Sequence, residues 1–437
     1  MAMSSIPPAT ADLRLITIDP GHFHAALLQK QQLDGVSREA HVYAPLGPDL
    51  LAHLERISRF NARAESPTAW DLRIYAGDNF LERMLTEVPG NIVVLSGRNA
   101  KKLDYIEAAV NAGLHVLADK PLILERAQYN RLEDVLKEAR RRNLVVVDAM
   151  TQRFEVTCQL VRELVNDPAV FGERVTGSPG DPAVRMESVH SLLKRVAGVP
   201  NLRPLWFFDS AEQGEGLTDV GTHLVDLVQW ILLPDRELSV ARDISIIDAT
   251  RWPTTIRLDQ LRQVTGLPLD SPAQAPSLDY FCNNTVRYTL GGSHVSLDIR
   301  WDVEPPPGVP DREYILFRGS HAHVEIRQNT QANWIPEVRV LPVSPAERTA
   351  VKEALHLRVT ALQAAYPGLG VLEFEEGFCL DIPARDRIGH EAHFSKLAAA
   401  FLNTVRSPAS APAWEHSRLL AKYFVTTEGV ALARRAS

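Results

Sequence analysis

Short apolar segments alternate with helical segments through the first 150 residues, and this alternation limits the fold more than any other feature of the chain. Continuous apolar segments such as 92–95 fit strands of a sheet that is covered on both faces. Strands separated by helices are typical of βαβ units, and they predict a parallel, doubly wound α/β sheet that binds ligands at the carboxyl ends of its strands. The sequence predicts strands over 13–18, 40–44, 72–76, 91–96, 115–118 and 144–147, and helices over 25–32, 48–60, 79–88, 99–112 and 124–141.

A different period marks the second part of the chain. Apolar and polar residues alternate over 286–301 around Gly291–Gly292 and over 314–326 around Gly319–Ser320, and each pattern predicts a β-hairpin. Hairpins that follow an α/β region are typical of an α+β domain with an open, mainly antiparallel sheet. The sequence also predicts helices over 151–165, 186–197, 389–405 and 417–433, a loop at 305–310 and a polar, proline-rich insertion at 255–280.

The length of 437 residues exceeds what one hydrophobic core usually covers, and it therefore favours two domains. We place the boundary after residue 150, which gives a Rossmann nucleotide-binding domain over 1–150 and an α+β domain over 151–437. The segment 46–71 is longer than a usual connection between elements, and it predicts either a lid or an extra helix.

Composition excludes several classes of partner. The formal net charge is −7 and no long basic segment occurs, so we expect no nucleic-acid partner. No apolar run is long enough to span a bilayer, and no signal peptide is visible, so we expect a cytoplasmic protein without a membrane partner. The cysteines, Cys158, Cys282 and Cys379, lie far apart and show no metal-ligand spacing.

One stretch, 213–230, combines glycines, a capping residue and an amphipathic helix. Thr218 is typical of a helix N-cap and Asp219 of a first turn, where the helix dipole favours an anion. Asp219, His223 and Asp226 follow at spacings of four and three, which places them on one row of the helix. A carboxylate four residues before an imidazole can orient the ring and stabilise its charged form, as a general base requires. The predicted core row of the same helix is Val220, Leu224, Leu227 and Ile231.

The same pattern also fits an amphipathic helix with a solvated polar face, and a second motif distinguishes the two interpretations. Asp119-Lys120-Pro121 ends a predicted strand, where a lysine points into the ligand crevice. Together with the Asp-x-x-x-His helix, this motif resembles the glucose–fructose oxidoreductase/inositol dehydrogenase (Gfo/Idh/MocA) family of NAD(P)-dependent sugar and cyclitol dehydrogenases. That family carries Glu-Lys-Pro ahead of such a helix, and here Asp119 stands in place of the glutamate.

The resemblance implies a catalytic set, a cofactor and an assembly. His223 would take the hydroxyl proton of a secondary alcohol, Asp219 would bind a substrate hydroxyl or hold the imidazole, and Lys120 would stabilise the developing oxyanion. The cofactor would be NAD or NADP, and the sequence does not choose between them, because no acidic residue follows the second strand before Asp49. The substrate would be a small carbohydrate-like molecule, and the open sheet would build a homodimer or homotetramer.

Two other functions fit the same residues. Some members of the resembling family hold NAD permanently and use transient oxidation to cleave a glycosidic bond, so that added NAD is not reduced. A non-catalytic protein that senses a sugar or a nucleotide is the third interpretation, because a fold does not fix a function.

The first βα turn departs from the dinucleotide fingerprint G-x-G-x-x-G. Asp19 occupies the first glycine position and His24 the third, so that only Gly21 is retained. A phosphate would then bind free amides at the helix N-terminus, and Asp19 would cap the helix or point elsewhere. The residues predicted to contact the cofactor are Asp19, Gly21, His22, Phe23, His24, Ser96, Gly97, Asn99, Asp119, Lys120 and Pro121.

The pair of His22 and His24 also suggests a metal site. We nevertheless expect no metal, because the pair has no cysteine and no acidic residue at ligand spacing. Polar contacts to a cofactor, or simple packing for one of the two rings, are the better interpretations of the sequence.

Four residues after the first domain are predicted to contact the substrate. His190 and Lys194 lie four apart on the helix predicted over 186–197, and Arg203 and Trp206 precede the glycine-containing turn. A solvated helix face is the alternative for the first pair, and core packing is the alternative for the aromatic residue.

Overall fold

The chain forms two compact units. One division between them falls beside residue 150, where the sequence places the boundary, and two short segments, 123–132 and 394–411, belong to the opposite unit from their neighbours in the sequence. The computed structural model describes residues 13–196, 199–267 and 276–436. The first unit contains the described residues up to Leu122, Glu133–Ala149 and Phe394–Ala411, and the second contains Ile123–Leu132, Met150–His393 and the described residues from Pro412.

A six-stranded parallel sheet forms the core of the first unit and confirms the predicted doubly wound fold. Its strands are β1 (Leu15–Ile18), β2 (Glu39–Ala44), β3 (Asp71–Ala76), β4 (Ile92–Leu95), β5 (His115–Ala118) and β6 (Val146–Asp148). The spatial order is β3-β2-β1-β4-β5-β6, so the direction of the chain across the sheet reverses between β1 and β4. Ligands of doubly wound sheets bind outside the carboxyl ends of the strands at this reversal.

The helices of this part of the chain are α1 (His24–Leu27), α2 (Pro48–Ala62), α3 (Phe80–Glu87), α4 (Lys102–Asn111) and α5 (Tyr129–Arg141), with a 3₁₀ turn over Arg126–Gln128. The segment interpreted as a lid or a helix contains the helix α2. The helix predicted over 25–32 is wrong in length, because the chain tightens after Leu27. The amides of Gln29 and Lys30 donate to carbonyls three residues back, and the Gln29 carbonyl accepts from Trp70 Nε1 at 2.7 Å.

The helix α2 buries a histidine. Leu50, His53 and Ile57 form its inner face, and His53 is 2% exposed. Neither ring nitrogen of His53 has a hydrogen-bond partner in the part of the chain that the structure describes. Burial, with a smaller contribution from Arg56, lowers the pKa of this imidazole to about 4.

This buried imidazole should make the protein less stable as the pH falls. Between pH 7 and pH 5 the unfolded chain takes up a proton at His53, whose ordinary pKa is about 6.5, while the folded chain does not. The free energy of unfolding should therefore lose about 2 kcal/mol over this interval through this group. Replacing His53 by Leu should remove that loss, measured by urea denaturation at both pH values.

The matched control for this substitution is His356→Leu, which changes an exposed histidine and should leave the pH dependence as it is. A His53→Leu variant with the wild-type pH dependence would show that the buried ring does not set it.

A nine-stranded sheet forms the core of the second unit and confirms the predicted open, mainly antiparallel sheet. Its strands are β7 (Val184–Ser191), β10 (Ile244–Arg257), β11 (Ser277–Leu290), β12 (Ser293–Asp302), β13 (Arg312–Arg318), β14 (Ala322–Arg327), β15 (Glu337–Pro342), β16 (Gly370–Phe374) and β17 (Gly377–Asp381), while β8 (Arg195–Val196) and β9 (Val199–Pro200) pair separately. The order is β10-β11-β12-β7-β13-β14-β15-β17-β16, and only the pair of β7 and β12 is parallel among these neighbours.

The strand β7 replaces the helix predicted over 186–197, and that prediction is wrong. Val184, Met186 and Ser188 are buried and alternate with more exposed residues, as the period of a strand requires. The neighbouring strands explain the difference. β7 lies between β12 and β13 and pairs with both, so that tertiary pairing overrides the local helix pattern.

Both predicted hairpins are confirmed. The strands β11 and β12 turn at Gly291–Gly292, and β13 and β14 turn at Gly319–Ser320. The predicted insertion at 255–280 is only partly right, because it includes the end of β10, a helix and the start of β11, and its residues 268–275 lie outside the described chain. The segment 305–310 contains neither helix nor strand, as predicted.

The remaining α-helices include the two predicted near the C-terminus, which are confirmed. They are α6 (Val156–Val165), α7 (Pro168–Phe171), α8 (Gly221–Leu232), α9 (Val240–Asp243), α10 (Leu258–Thr265), α11 (Arg348–Leu362), α12 (His390–Arg406) and α13 (Ala413–Ala436). The 3₁₀ turns are Thr151–Phe154, Leu205–Phe208, Ala384–Asp386 and Pro408–Ser410. Among the described helices, none combines the length and the apolar character that a membrane crossing would need.

Candidate functional site

A buried carboxylate organises the carboxyl ends of β1, β4 and β5 in the first unit. Asp119 follows β5 directly, and the residue is 7% exposed. Its Oδ2 lies 2.8 Å from His22 Nδ1 and 3.1 Å from His24 Nδ1, and it accepts a hydrogen bond from Ser96 Oγ at 3.1 Å. Its Oδ1 accepts from the amide of Lys120 at 2.9 Å. Five of the residues predicted to contact the cofactor are thus brought together.

The protonation of this cluster follows from its hydrogen bonds. Burial alone would raise the pKa of Asp119, but the charge and hydrogen bonds of His24 and His22 outweigh it and hold the pKa well below its usual range. Burial, and then the neighbouring His24, lower the pKa of His22 to about 4. At neutral pH the cluster therefore holds an ionised carboxylate against a neutral His22 ring.

The first turn is fixed against the end of β4. The amides of Gly21 and His22 both donate to the Ser96 carbonyl, at 2.9 and 3.1 Å. A Cβ added at Gly97 would lie 2.3 Å from the Asp19 carbonyl oxygen, so only glycine permits this approach. The expectation that free amides of the helix N-terminus bind a phosphate is wrong for these two amides, because Ser96 takes both and α1 is only four residues long.

The side chain of Asp19 points to a tyrosine. Its Oδ2 accepts from the Tyr105 hydroxyl at 3.1 Å, and α1 has no side-chain cap, so the carboxylate points elsewhere rather than capping the helix. Burial raises the pKa of Asp19, and the Tyr105 hydroxyl and the charges of Arg98 and Lys101 oppose that rise.

A buried lysine also contributes to the carboxyl edge of the first sheet, and the sequence gives no reason to select it. Lys102 is 1% exposed, and its Nζ donates to Asn99 Oδ1 at 2.5 Å and to the carbonyl of Asp119 at 2.8 Å. It follows Lys101 directly, and no motif in the sequence singles out this pair of lysines. The peptide bond between Lys120 and Pro121 is cis.

In the second unit, the predicted catalytic helix α8 begins at Gly221 rather than at Asp219. Thr218 is not its N-cap, because the Thr218 hydroxyl accepts from the Glu215 amide and donates to the Glu215 carbonyl. Asp219 lies in the turn before the helix and is 4% exposed, and His223 is half-buried in the first turn of the helix.

The turn that carries Asp219 is attached to the strand β11. The Leu217 amide donates to Asn284 Oδ1 at 2.8 Å. A Cβ at Gly216 would lie 2.0 Å from the Cys282 carbonyl oxygen, so glycine is needed for the turn to approach the sheet this closely. The predicted core row of the helix is confirmed, since Val220, Leu224, Leu227 and Ile231 are all buried.

Asp226, three residues after His223 on α8, belongs to a buried ion network. Its carboxylate accepts two hydrogen bonds from Arg153, at 2.6 and 2.7 Å, and one from Lys422 Nζ at 2.9 Å. Arg153 also pairs with Glu415 at 2.9 Å. Burial would raise the pKa of Asp226, but Arg153 and Lys422 lower it well below its usual range.

His190 and Lys194 converge on a carboxylate that the sequence analysis missed. His190 Nδ1 lies 3.1 Å from Asp311 Oδ2, and Lys194 Nζ donates to the same oxygen at 2.5 Å. The two residues come from β7 and the turn after it, not from a helix, so the predicted placement is wrong although the two side chains do share a partner. The only signal for Asp311 is its position after the proline-rich loop 305–310.

Arg203 lies on an aromatic surface. Its guanidinium carbon is 4.3 Å from the ring centre of Phe207 and 5.0 Å from that of Trp301, on which His190 also stacks at 4.7 Å. Its Nε is buried and has no hydrogen-bond partner among the described residues. Phe207 is buried beneath Arg203, and the half-buried Trp206 packs against the hydrophobic core of the second unit.

Electrostatic effects connect this aromatic surface to Asp219. Burial raises the pKa of Tyr280, and the charge of Asp219 raises it further. Burial lowers the pKa of Arg203, and Tyr280, Asp219 and Asp311 oppose that change. Asp219 and three of the residues around the predicted substrate contacts therefore act on one another within the second unit, whereas Lys120 belongs to the first unit.

Comparisons with known proteins agree with this architecture. Residues 160–434 match the family model described as "putative oxidoreductase C terminal domain". A solved structure from Parabacteroides merdae, described as a "putative oxidoreductase", is 40% identical, with a TM-score of 0.95 over 98% of this chain and 99% of its own. A levoglucosan dehydrogenase in complex with NADH and levoglucosan is 14% identical and shares the fold, with a TM-score of 0.61 over 97% of this chain and 98% of its own.

A curated Synechocystis protein described as an uncharacterized oxidoreductase is 26% identical over 191 residues, which are 43% of this chain and 46% of that protein. The match therefore spans about half the length of this relative. The resemblance to the Gfo/Idh/MocA family, drawn from the two motifs, is confirmed.

Proposed function

The chain belongs to the oxidoreductase family defined by this C-terminal domain, and on that premise we propose that it is an NAD(P)-dependent dehydrogenase. The proposed reaction transfers a hydride between a secondary alcohol of a sugar, sugar derivative or cyclitol and the nicotinamide. The levoglucosan dehydrogenase of the same fold binds NADH and a sugar derivative, which supports this class of cofactor and substrate.

The first unit fits a dinucleotide at one edge of its sheet. The strand order reverses between β1 and β4, and the residues that follow β1, β4 and β5 place polar side chains at this reversal. Asp19, which would repel a pyrophosphate, has its carboxylate on the Tyr105 hydroxyl. This gathering of polar groups at the switch point is the observation that carries the proposal.

The residues proposed to hold the cofactor are those predicted from the sequence. The nicotinamide, when bound, supplies the position that accepts or donates hydride. The chain supplies orientation and charge: Ser96 donates to the Asp119 carboxylate, and that carboxylate positions the amide of Lys120. The Lys120 ammonium is proposed to stabilise negative charge on the reacting oxygen of the substrate.

The second unit is proposed to supply the proton acceptor and the substrate contacts. His223 takes the proton of the reacting hydroxyl, and Asp219, four residues earlier in the turn before α8, orients the ring or binds a neighbouring hydroxyl. His190, Lys194, Arg203 and Trp206 are the proposed substrate contacts. Arg203 offers a buried donor to an oxygen of the substrate, since its Nε has no partner among the described residues.

A thermal-shift screen of the purified protein tests the binding half of the proposal. NAD or NADP should raise the unfolding temperature, and a sugar or cyclitol should raise it further, because a ligand that binds the native state stabilises it. A screen in which neither nucleotide changes the unfolding temperature would contradict the proposal.

Turnover distinguishes the alternatives. The proposed dehydrogenase reduces added NAD or NADP in amounts equal to the ketone formed. An enzyme that uses transient oxidation forms product without net reduction of added nucleotide, and a sensor binds both ligands without product.

A further inference from the structure

Three metal-ligating side chains converge at the carboxyl edge of the first sheet. His22 and His24 come from the first turn and Asp119 from the end of β5, and one nitrogen or oxygen atom from each lies within 4.8 Å of the others. The two Nδ1 atoms are 2.8 and 3.1 Å from the same carboxylate oxygen.

These separations suit a shared ion. Ligand atoms at 2.0–2.2 Å from a tetrahedral metal lie about 3.3–3.6 Å from one another, so small rotations of two rings would open the cluster far enough. The set of two imidazoles and one carboxylate is also the donor set that divalent transition metals prefer.

The carboxylate has the outer support that metal ligands usually have. Ser96 Oγ donates to Asp119 Oδ2, and the Lys120 amide donates to Oδ1 at 2.9 Å. Such bonds orient a ligating carboxylate and increase metal affinity. The ring of Phe394, itself buried, lies 5.4 Å from that of His24.

The cluster is buried on one side and accessible on the other. The side chains of His24 and Asp119 are 8% exposed, whereas that of His22 is 35% exposed. Three protein ligands with one accessible side are typical of sites that keep a coordination position for water or a substrate oxygen.

We propose that His22, His24 and Asp119 form a binding site for a divalent transition-metal ion, with an open position for an oxygen ligand. The sequence argued against a metal because the two histidines have no acidic partner nearby in the chain, and the fold supplies that partner from 95 residues away. This inference does not rest on the proposed reaction, and it is tested without nucleotide or sugar.

The test uses the full chain after removal of metals with a chelator, and Co²⁺ as the probe. Wild-type protein should bind one equivalent of Co²⁺ and show the visible absorption of a low-coordinate complex. Asp119→Asn and His22→Ala should each weaken Co²⁺ binding by at least about 100-fold, because the loss of a direct ligand exceeds the loss of an outer partner.

The control is His321→Ala in the second unit, which removes a histidine that pairs with Glu347 at 3.0 Å, and this variant should bind Co²⁺ as the wild type does. X-ray absorption of the wild-type Co²⁺ complex should show two imidazoles per ion, so that the result stands even if a variant fails to fold. Absence of stoichiometric binding, wild-type Co²⁺ affinity in both site variants, or a complex without imidazole would overturn the proposal.

Discussion

Replacing His223 by Asn should lower kcat by about 10²- to 10⁴-fold, the usual contribution of a positioned general base. The affinity for NAD(P) should stay near the wild-type value, because the residues proposed to hold the cofactor lie in the first unit. Steady-state kinetics with the sugar identified by the screen gives kcat and KM, and nucleotide titration gives the cofactor affinity. Asparagine keeps a polar side chain on α8 but cannot take the proton.

The matched control is His321→Asn, a histidine of the same unit that pairs with Glu347. It should keep wild-type turnover. Thermal unfolding of both variants shows that they are folded. An unchanged kcat in His223→Asn would remove this residue from the mechanism, and a loss confined to nucleotide affinity would make it a cofactor contact instead.

Replacing Asp226 by Asn should lower the free energy of unfolding by about 3–5 kcal/mol, because it removes the carboxylate that Arg153 and Lys422 share in the buried network. The side chain of Lys422 is 1% exposed and that of Arg153 is 15% exposed, so water solvates these cations poorly once the carboxylate charge is removed. The measurement is urea denaturation at neutral pH. The control Glu55→Gln breaks an exposed pair with Arg59 and should change stability by less than about 1 kcal/mol.

The same carboxylate predicts a direction for the pH dependence. A group whose pKa is lowered on folding stabilises the protein above its ordinary pKa, and this contribution disappears as the pH falls towards the lowered value. Stability of the wild type should therefore fall in acid more steeply than that of Asp226→Asn. Equal stability of the two proteins at neutral pH would mean that the network contributes nothing net.

The architecture can be predicted from the sequence because the apolar residues follow two clear patterns, one in each part of the chain. The alternation of apolar strands and helices gives the six-stranded sheet, and the period of two around Gly291–Gly292 gives the hairpin of β11 and β12. The strand β7 was not accessible, because its pairing with β12 and β13 is non-local and its sequence also fits a helix.

The sequence predicts individual residues of the candidate site, but it does not predict which of them contact one another. Asp119 was selected for its motif and His22 for its turn, but nothing local shows that residues 97 apart share a hydrogen bond. Asp226 shows the reverse case. Its spacing places it on one row with Asp219 and His223, whereas its hydrogen-bond partners, Arg153 and Lys422, come from distant parts of the chain.

Deuterium transfer tests the central claim most directly. A substrate deuterated at the carbon of the reacting hydroxyl is incubated with the protein and NAD or NADP, and the nucleotide is recovered for mass spectrometry. The proposed reaction predicts deuterium in the nicotinamide ring, one per ketone formed. Ketone formation or ligand binding without deuterium in the recovered nucleotide would contradict it.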